Sequence, residues 1–250
     1  MLKLRYLLHE RPLVMNKKLS VVLFLTFFVT AAVAVVGQKQ LKPWKEWSKD
    51  DAQKVLKDSP WAHQQVDQDF LEANPLKPNS IDAGTDARLK QNEGMTYSIR
   101  FFSARPVRQA FVRMIQLQKK DLAPEMMTRL NVFAEAPSQD AIIVAVAVEN
   151  PDANLLGKAM QIIRNATAVK LKNTTYLERS DGKRVFIEEY TPPGSDGFGA
   201  RFIFPRMLDG KPFLGPEHNS VRFVSELDSS IKLRMDYKTK GMMLDGQLEY

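Results

Sequence analysis

The chain has no cysteine. That absence excludes disulfide scaffolds, thiol nucleophiles, cysteine-ligated zinc, iron–sulfur clusters and lipidation on cysteine. Histidine is scarce, with three in 250 residues, and only His63 and His218 stand beyond the N-terminal region. No H-E-x-x-H or comparable spacing joins them, so neither a metal nor a cofactor is expected. The glycine-rich stretch 194–199 (GSDGFG) lacks the lysine and serine or threonine of a P-loop, and it precedes a strand pattern rather than a helix. No G-x-S-x-G elbow marks a serine hydrolase. No repeat of fixed period occurs, which argues against solenoids and propellers. Composition is otherwise near the globular average, with 44% hydrophobic and 26% charged residues.

What the chain does carry is a long apolar run at residues 19–36, LSVVLFLTFFVTAAVAVV, free of charge and preceded by Lys17 and Lys18. A basic n-region, an apolar h-region and small residues at its end form the pattern of a secretory signal peptide. Ala32 with Ala34, or Val35 with Gly37, offer cleavage positions, and Met15 offers a second start beside Met1. The rival reading is an uncleaved membrane anchor, because the run sits at the short end of what spans a bilayer. Under both readings the lysines keep the N-terminus inside and the remainder is exported, to the periplasm or cell envelope. Lys3, Arg5, Arg11, Lys17 and Lys18 stand against Glu10, so four of the seven net positive charges fall before residue 19. The basicity of the chain is therefore mainly an address rather than a sign of nucleic-acid binding.

Beyond this region the periodicity predicts an α+β fold, with helices mainly before residue 170 and an antiparallel β-sheet in the C-terminal part. Residues 1–37 form the signal peptide or anchor, 38–62 a tryptophan-rich segment with a short helix, 63–94 a polar loop or linker, and 95–250 an α+β globular domain. Ser48 with Asp51 reads as a helix start, and Ser59-Pro60 as its stop. A strand is expected at 95–103, an αα-hairpin from Pro106 to Phe133, and a strand buried on both faces at 140–149. Later strands are expected at 176–179, 184–190, 200–204, 221–227, 231–237 and 242–250. Asp-Gly pairs at 181, 209 and 245 supply turn signals.

Two segments carry a resemblance. Trp44-Lys-Glu-Trp47-Ser, leading into Asp58-Ser-Pro-Trp61-Ala, and the closing stretch with Asp245-Gly246 resemble a group of uncharacterised exported bacterial proteins. The resemblance implies an exported bacterial origin and no particular activity.

All three tryptophans, Trp44, Trp47 and Trp61, lie close together in sequence. Their flat faces suit an aromatic binding platform, and burial as a local core is the alternative. His63 and His218 read as loop histidines, with a ligand or general-base role as the other option. Glu188 and Glu189 are adjacent, so in a strand they point to opposite faces and cannot act as a pair. Arg105, Arg108, Arg113, Lys119 and Lys120 read as a solvated helix face. Together these features predict a non-catalytic exported envelope protein acting as a binding or accessory module for an envelope macromolecule or protein partner. Membrane contact is expected only if the N-terminal run is uncleaved. The alternative is an extracytoplasmic hydrolase that uses carboxylates with His63 or His218.

Overall fold

The Ser48 hydroxyl accepts the Asp51 backbone N–H at 3.1 Å while the Asp51 carboxylate accepts the Ser48 N–H at 3.0 Å. This reciprocal cap satisfies two donors at the start of helix α1, Lys49–Lys57. The computed structural model describes residues 42–68, 70, 94–119, 121–137 and 140–250. The apolar run 19–36 lies outside them. Among the described residues no helix is long and apolar enough to cross a membrane.

Five antiparallel strands form the larger sheet. They are β1 (Ala62–Asp67), β2 (Met95–Phe101), β3 (Ala141–Glu149), β6 (Glu189–Thr191) and β7 (Ala200–Pro205), in the order β1-β2-β3-β7-β6. Strand β1 falls where the sequence predicts a loop. Its residues AHQQVD are mostly polar, and only alternate positions touch the interior, so hydrophobicity gives no signal. The pairing of His63 with Ile99 and Gln65 with Tyr97 on β2 supplies what composition does not. Residues 71–93 of the expected linker lie outside the described residues.

The smaller sheet contains β4 (Thr175–Arg179), β5 (Arg184–Phe186), β10 (Ser220–Glu226) and β11 (Lys232–Lys238), in the order β11-β10-β4-β5. The single strand expected at 184–190 is divided between the sheets. Ile187 donates to Thr175 in the small sheet and Glu188 donates to Ile203 in the large one, so the chain changes sheets at that peptide. Two hairpins, β8–β9 (Met207–Leu208, Lys211–Pro212) and β12–β13 (Met243–Leu244, Gln247–Leu248), turn on Asp209-Gly210 and Asp245-Gly246. All four turn residues have positive φ, between 50 and 77°, as a type I′ turn requires.

Four further helices are α2 (Arg105–Gln118), α3 (Pro124–Glu135), α4 (Ala153–Asn165) and α5 (Ala168–Leu171). The fold is thus α+β, with every described α-helix ending by residue 171 and strands continuing to residue 248. One face of the large sheet packs on the small sheet. Phe202 meets Phe223 at 5.4 Å, Phe101 meets Tyr237 edge-on at 4.8 Å, and the Tyr237 hydroxyl donates to the Ile99 carbonyl at 2.8 Å. The opposite face receives α1 and α2. Lys57 of α1 pairs with Glu149 at 3.0 Å, and Ala52, Val55 and Leu56 are buried beneath that helix. The tryptophan-rich segment belongs to the same core as the strands rather than standing apart.

The exposed face of the small sheet carries an alternating charge row across all four strands. Asp236 pairs with Arg222 at 2.8 Å, Arg222 with Glu178 at 3.6 Å, and Glu178 with Arg184 at 2.5 Å. Such exposed pairs contribute about 0–1 kcal/mol each, so they set register more than stability.

Candidate functional site

Of the two readings of the tryptophans, the structure matches burial as a local core and leaves no open platform. Trp44, Trp47 and Trp61 are 7%, 4% and 3% exposed, and each indole N–H is already used. Trp44 donates to the Glu135 carboxylate, Trp47 to the Lys42 carbonyl at 2.8 Å, and Trp61 to the Glu249 carbonyl at 2.9 Å. Burial outweighs display because each indole removes a large apolar area from water while one polar atom finds a partner. Trp44 ties the N-terminal segment to α3 and Trp61 ties it to Glu249 beside the closing hairpin, while Trp47 bonds within the segment.

The two histidines occupy separate settings. His63, on β1, lies 5.0 Å from the Tyr237 ring. Burial lowers its pKa, and the charge of Asp58 opposes that shift. The His218 Nδ1 accepts the Gly215 N–H at 2.8 Å, while its carbonyl accepts from the Thr239 hydroxyl. That imidazole closes a loop. Among the described residues no group of three or more histidines or carboxylates is placed to hold a metal.

The basic residues of α2 are not a solvated face. Arg108 is 2% exposed and its guanidinium donates to the carbonyls of Ser103, Phe133 and Ala136, which ties the C-terminal end of α3 to the start of α2. Arg105 pairs with Glu249 at 3.2 Å and Asp245 at 2.9 Å, and Arg113 donates to the Trp47 carbonyl at 2.7 Å. Lys119 is exposed, as expected, and Lys120 lies outside the described residues.

One cation differs from these. Arg100 is 5% exposed, its Nε–H has no acceptor, and among the described residues no carboxylate forms an ion pair with it. Register places it on the helix-facing side of the large sheet, between Ala62 on β1 and Ala145 on β3. Arg201 on β7 lies opposite Ala145, in the same cross-strand row. At about 4.8 Å between strands, the two arginine backbones are about 10 Å apart. Ser98, two residues before Arg100 on the same face, is buried, and its hydroxyl accepts from Gln64 at 3.1 Å. Burial lowers the Arg100 pKa, opposed first by Glu149 and then by Tyr237. A guanidinium nonetheless stays charged, so a full positive charge sits in the interior.

The edge of this face is aromatic. Phe198 lies 4.3 Å from Phe111, 4.7 Å from Phe102 and 6.3 Å from Phe133. Arg201 stacks over Phe198 at 5.7 Å and pairs with Asp196 at 2.8 Å. Phe198 is carried by the 194–199 loop, whose glycines position aromatic packing rather than a phosphate. Gly199 has φ +84°, and a Cβ there would lie 2.3 Å from the Val146 carbonyl oxygen, so only glycine lets the loop enter β7 this closely. Phe102 is buried, whereas Phe111, Phe133 and Phe198 are half-buried.

Comparison with known protein families, curated proteins and solved structures found no match for the chain. The site therefore rests on its own geometry. Sequence reasoning passed over Arg100, yet a signal was present: it is the lone charge in the run MTYSIRFFS, in an otherwise apolar strand pattern.

Proposed function

We propose that the chain is an exported binding module of the cell envelope that holds an anionic group of its ligand at Arg100 without transforming it. The observation that carries this reading is a buried guanidinium with no acceptor at Nε and, among the described residues, no carboxylate in an ion pair with it. Burying a cation without an ion-pair partner is costly, and a core position is poorly used that way unless an anion arrives to pair with it. A guanidinium can offer two parallel N–H donors to a carboxylate or phosphate, and near neutrality it neither gives nor takes a proton. The positions directly beside it in register and along the strand are Ala62, Ala145 and Ser98, none of which titrates near neutrality. Export is supported by the lysine-flanked apolar run 19–36.

The test is thermal unfolding of the wild-type protein and the Arg100→Met variant in sulfate, phosphate and acetate at matched ionic strength. General salt effects act on both proteins alike, so the difference reports the site. An anion at a hundred times its Kd stabilises by about 2.7 kcal/mol, a rise of several degrees confined to the wild type. Equal shifts in both proteins for all three anions contradict the reading.

A further inference from the structure

We infer that the ligand group received at Arg100 is a carboxylate carried on an apolar or aromatic scaffold, an inference that rests on the binding reading above. Three observations lead to it.

The first is charge. Glu149 pairs with Lys57 at 3.0 Å and also opposes the Arg100 charge, and Asp196 pairs with Arg201 at 2.8 Å. Lys57, Glu149 and Arg100 together keep one net positive charge on this face. A monoanion neutralises it, whereas a phosphate dianion leaves a net negative charge in a poorly solvated setting. Carboxylate geometry also matches the guanidinium fork.

The second is size. The positions beside Arg100 are Ala62 and Ala145 across the strands, and Ser98 along the same strand. Ala147 faces Ser98, and Gly199 lies against the Val146–Ala147 peptide. None of these side chains is larger than serine. Ala62, Ala145 and Ser98 are wholly buried, while Ala147 and Gly199, in the row of Ser98, are partly exposed.

The third is the company the row keeps. Gly199 is followed in space by Phe198, and Phe198 joins Phe102, which stands two residues after Arg100. Phe111 and Phe133 complete a half-buried aromatic rim. A ligand whose carboxylate sits on Arg100 has its next few atoms directed across alanine and glycine toward phenylalanine rings. Apolar or aromatic atoms in that place gain burial and ring contacts, while a hydrophilic scaffold loses hydration without return.

The experiment is calorimetric titration of the full chain with phenylacetate, acetate, inorganic phosphate and N-acetyl-glycyl-phenylalanine, a free acid and a peptide C-terminus being the two sources of this chemistry. Phenylacetate or the dipeptide is expected to bind at least tenfold more tightly than acetate and phosphate. Arg100→Met should lose at least tenfold toward both aromatic acids. Phe198→Leu, which keeps the apolar volume, should narrow the preference of phenylacetate over acetate while acetate affinity holds. Tighter binding of the dipeptide assigns the carboxylate to a polypeptide end, and tighter binding of phenylacetate assigns it to a small acid. Phosphate binding most tightly, or acetate matching phenylacetate, overturns this inference and leaves the anion-binding reading standing. No heat of binding from any of the four in the wild type overturns both.

Discussion

The side-chain amide of Gln65 on β1 stands in for a strand neighbour to Arg234 on β11: its Oε1 accepts the Arg234 backbone N–H at 2.9 Å. The same amide donates from Nε2 to the Lys232 carbonyl at 2.7 Å. Strand β11 is the edge of the small sheet, and an unpaired edge is a template for another chain. One glutamine therefore closes two groups of that edge and joins the two sheets. Replacing Gln65 by Ala should destabilise by about 1–2 kcal/mol and raise the tendency to associate at high concentration. Chemical denaturation together with light scattering checks both effects. Unchanged behaviour in both would remove Gln65 from this role.

A second pair lies within the small sheet. The Thr175 and Ser225 hydroxyls are 2.8 Å apart, face to face on β4 and β10, and both residues are wholly buried. Thr175→Val leaves the Ser225 hydroxyl without its partner and should cost about 1–3 kcal/mol. The double variant Thr175→Val with Ser225→Ala removes both polar groups and should recover much of that loss. A double-mutant cycle with no coupling would show that the two hydroxyls act independently.

His63 makes stability depend on pH. Its folded pKa lies below the ordinary value near 6.5, chiefly through burial against β11, with Asp58 opposing and the Tyr237 ring alongside. The unfolded chain then binds the proton more readily than the folded one. The neutral form's contribution is complete above about pH 6.5 and is lost as pH falls from there toward the folded pKa. Because the ring is partly exposed, less than one proton should be linked to unfolding. His63→Leu should flatten stability between pH 7 and 5, measured as urea midpoints across that range. A slope unaltered by the substitution assigns it to other groups.

Much of the fold was legible before any coordinates, and the reasons for the rest are local. The Ser48–Asp51 cap, the Pro106 helix start and the Asp209-Gly210 and Asp245-Gly246 turns follow from chemistry contained within a few residues. Strand β1 was hidden because its polar side chains alternate at a sheet edge, where pairing with β2 decides the conformation. The transfer between sheets at Ile187–Glu188 was hidden because period-two alternation looks the same in either sheet. At the site, the sequence leaves Trp44, Trp47 and Trp61 open between platform and local core, because the indole partners of Trp44 and Trp61, Glu135 and Glu249, lie far away in sequence. Arg108 reads from sequence as a solvated charge and Arg100 as one charge in an apolar strand pattern. Distant carbonyls satisfy the first and leave the Nε of the second without an acceptor, a difference only tertiary contacts create.

The most direct measurement is the unfolding free energy of the Arg100→Met variant against the wild type in dilute buffer free of added organic or phosphate anions. Methionine keeps an unbranched apolar stem and removes the buried charge. If Arg100 is held unpaired for a ligand, the variant should match or exceed the wild type in stability, by about 1–4 kcal/mol where it gains. If Arg100 instead supports the fold, the variant should lose more than about 1 kcal/mol, and that loss would contradict the account.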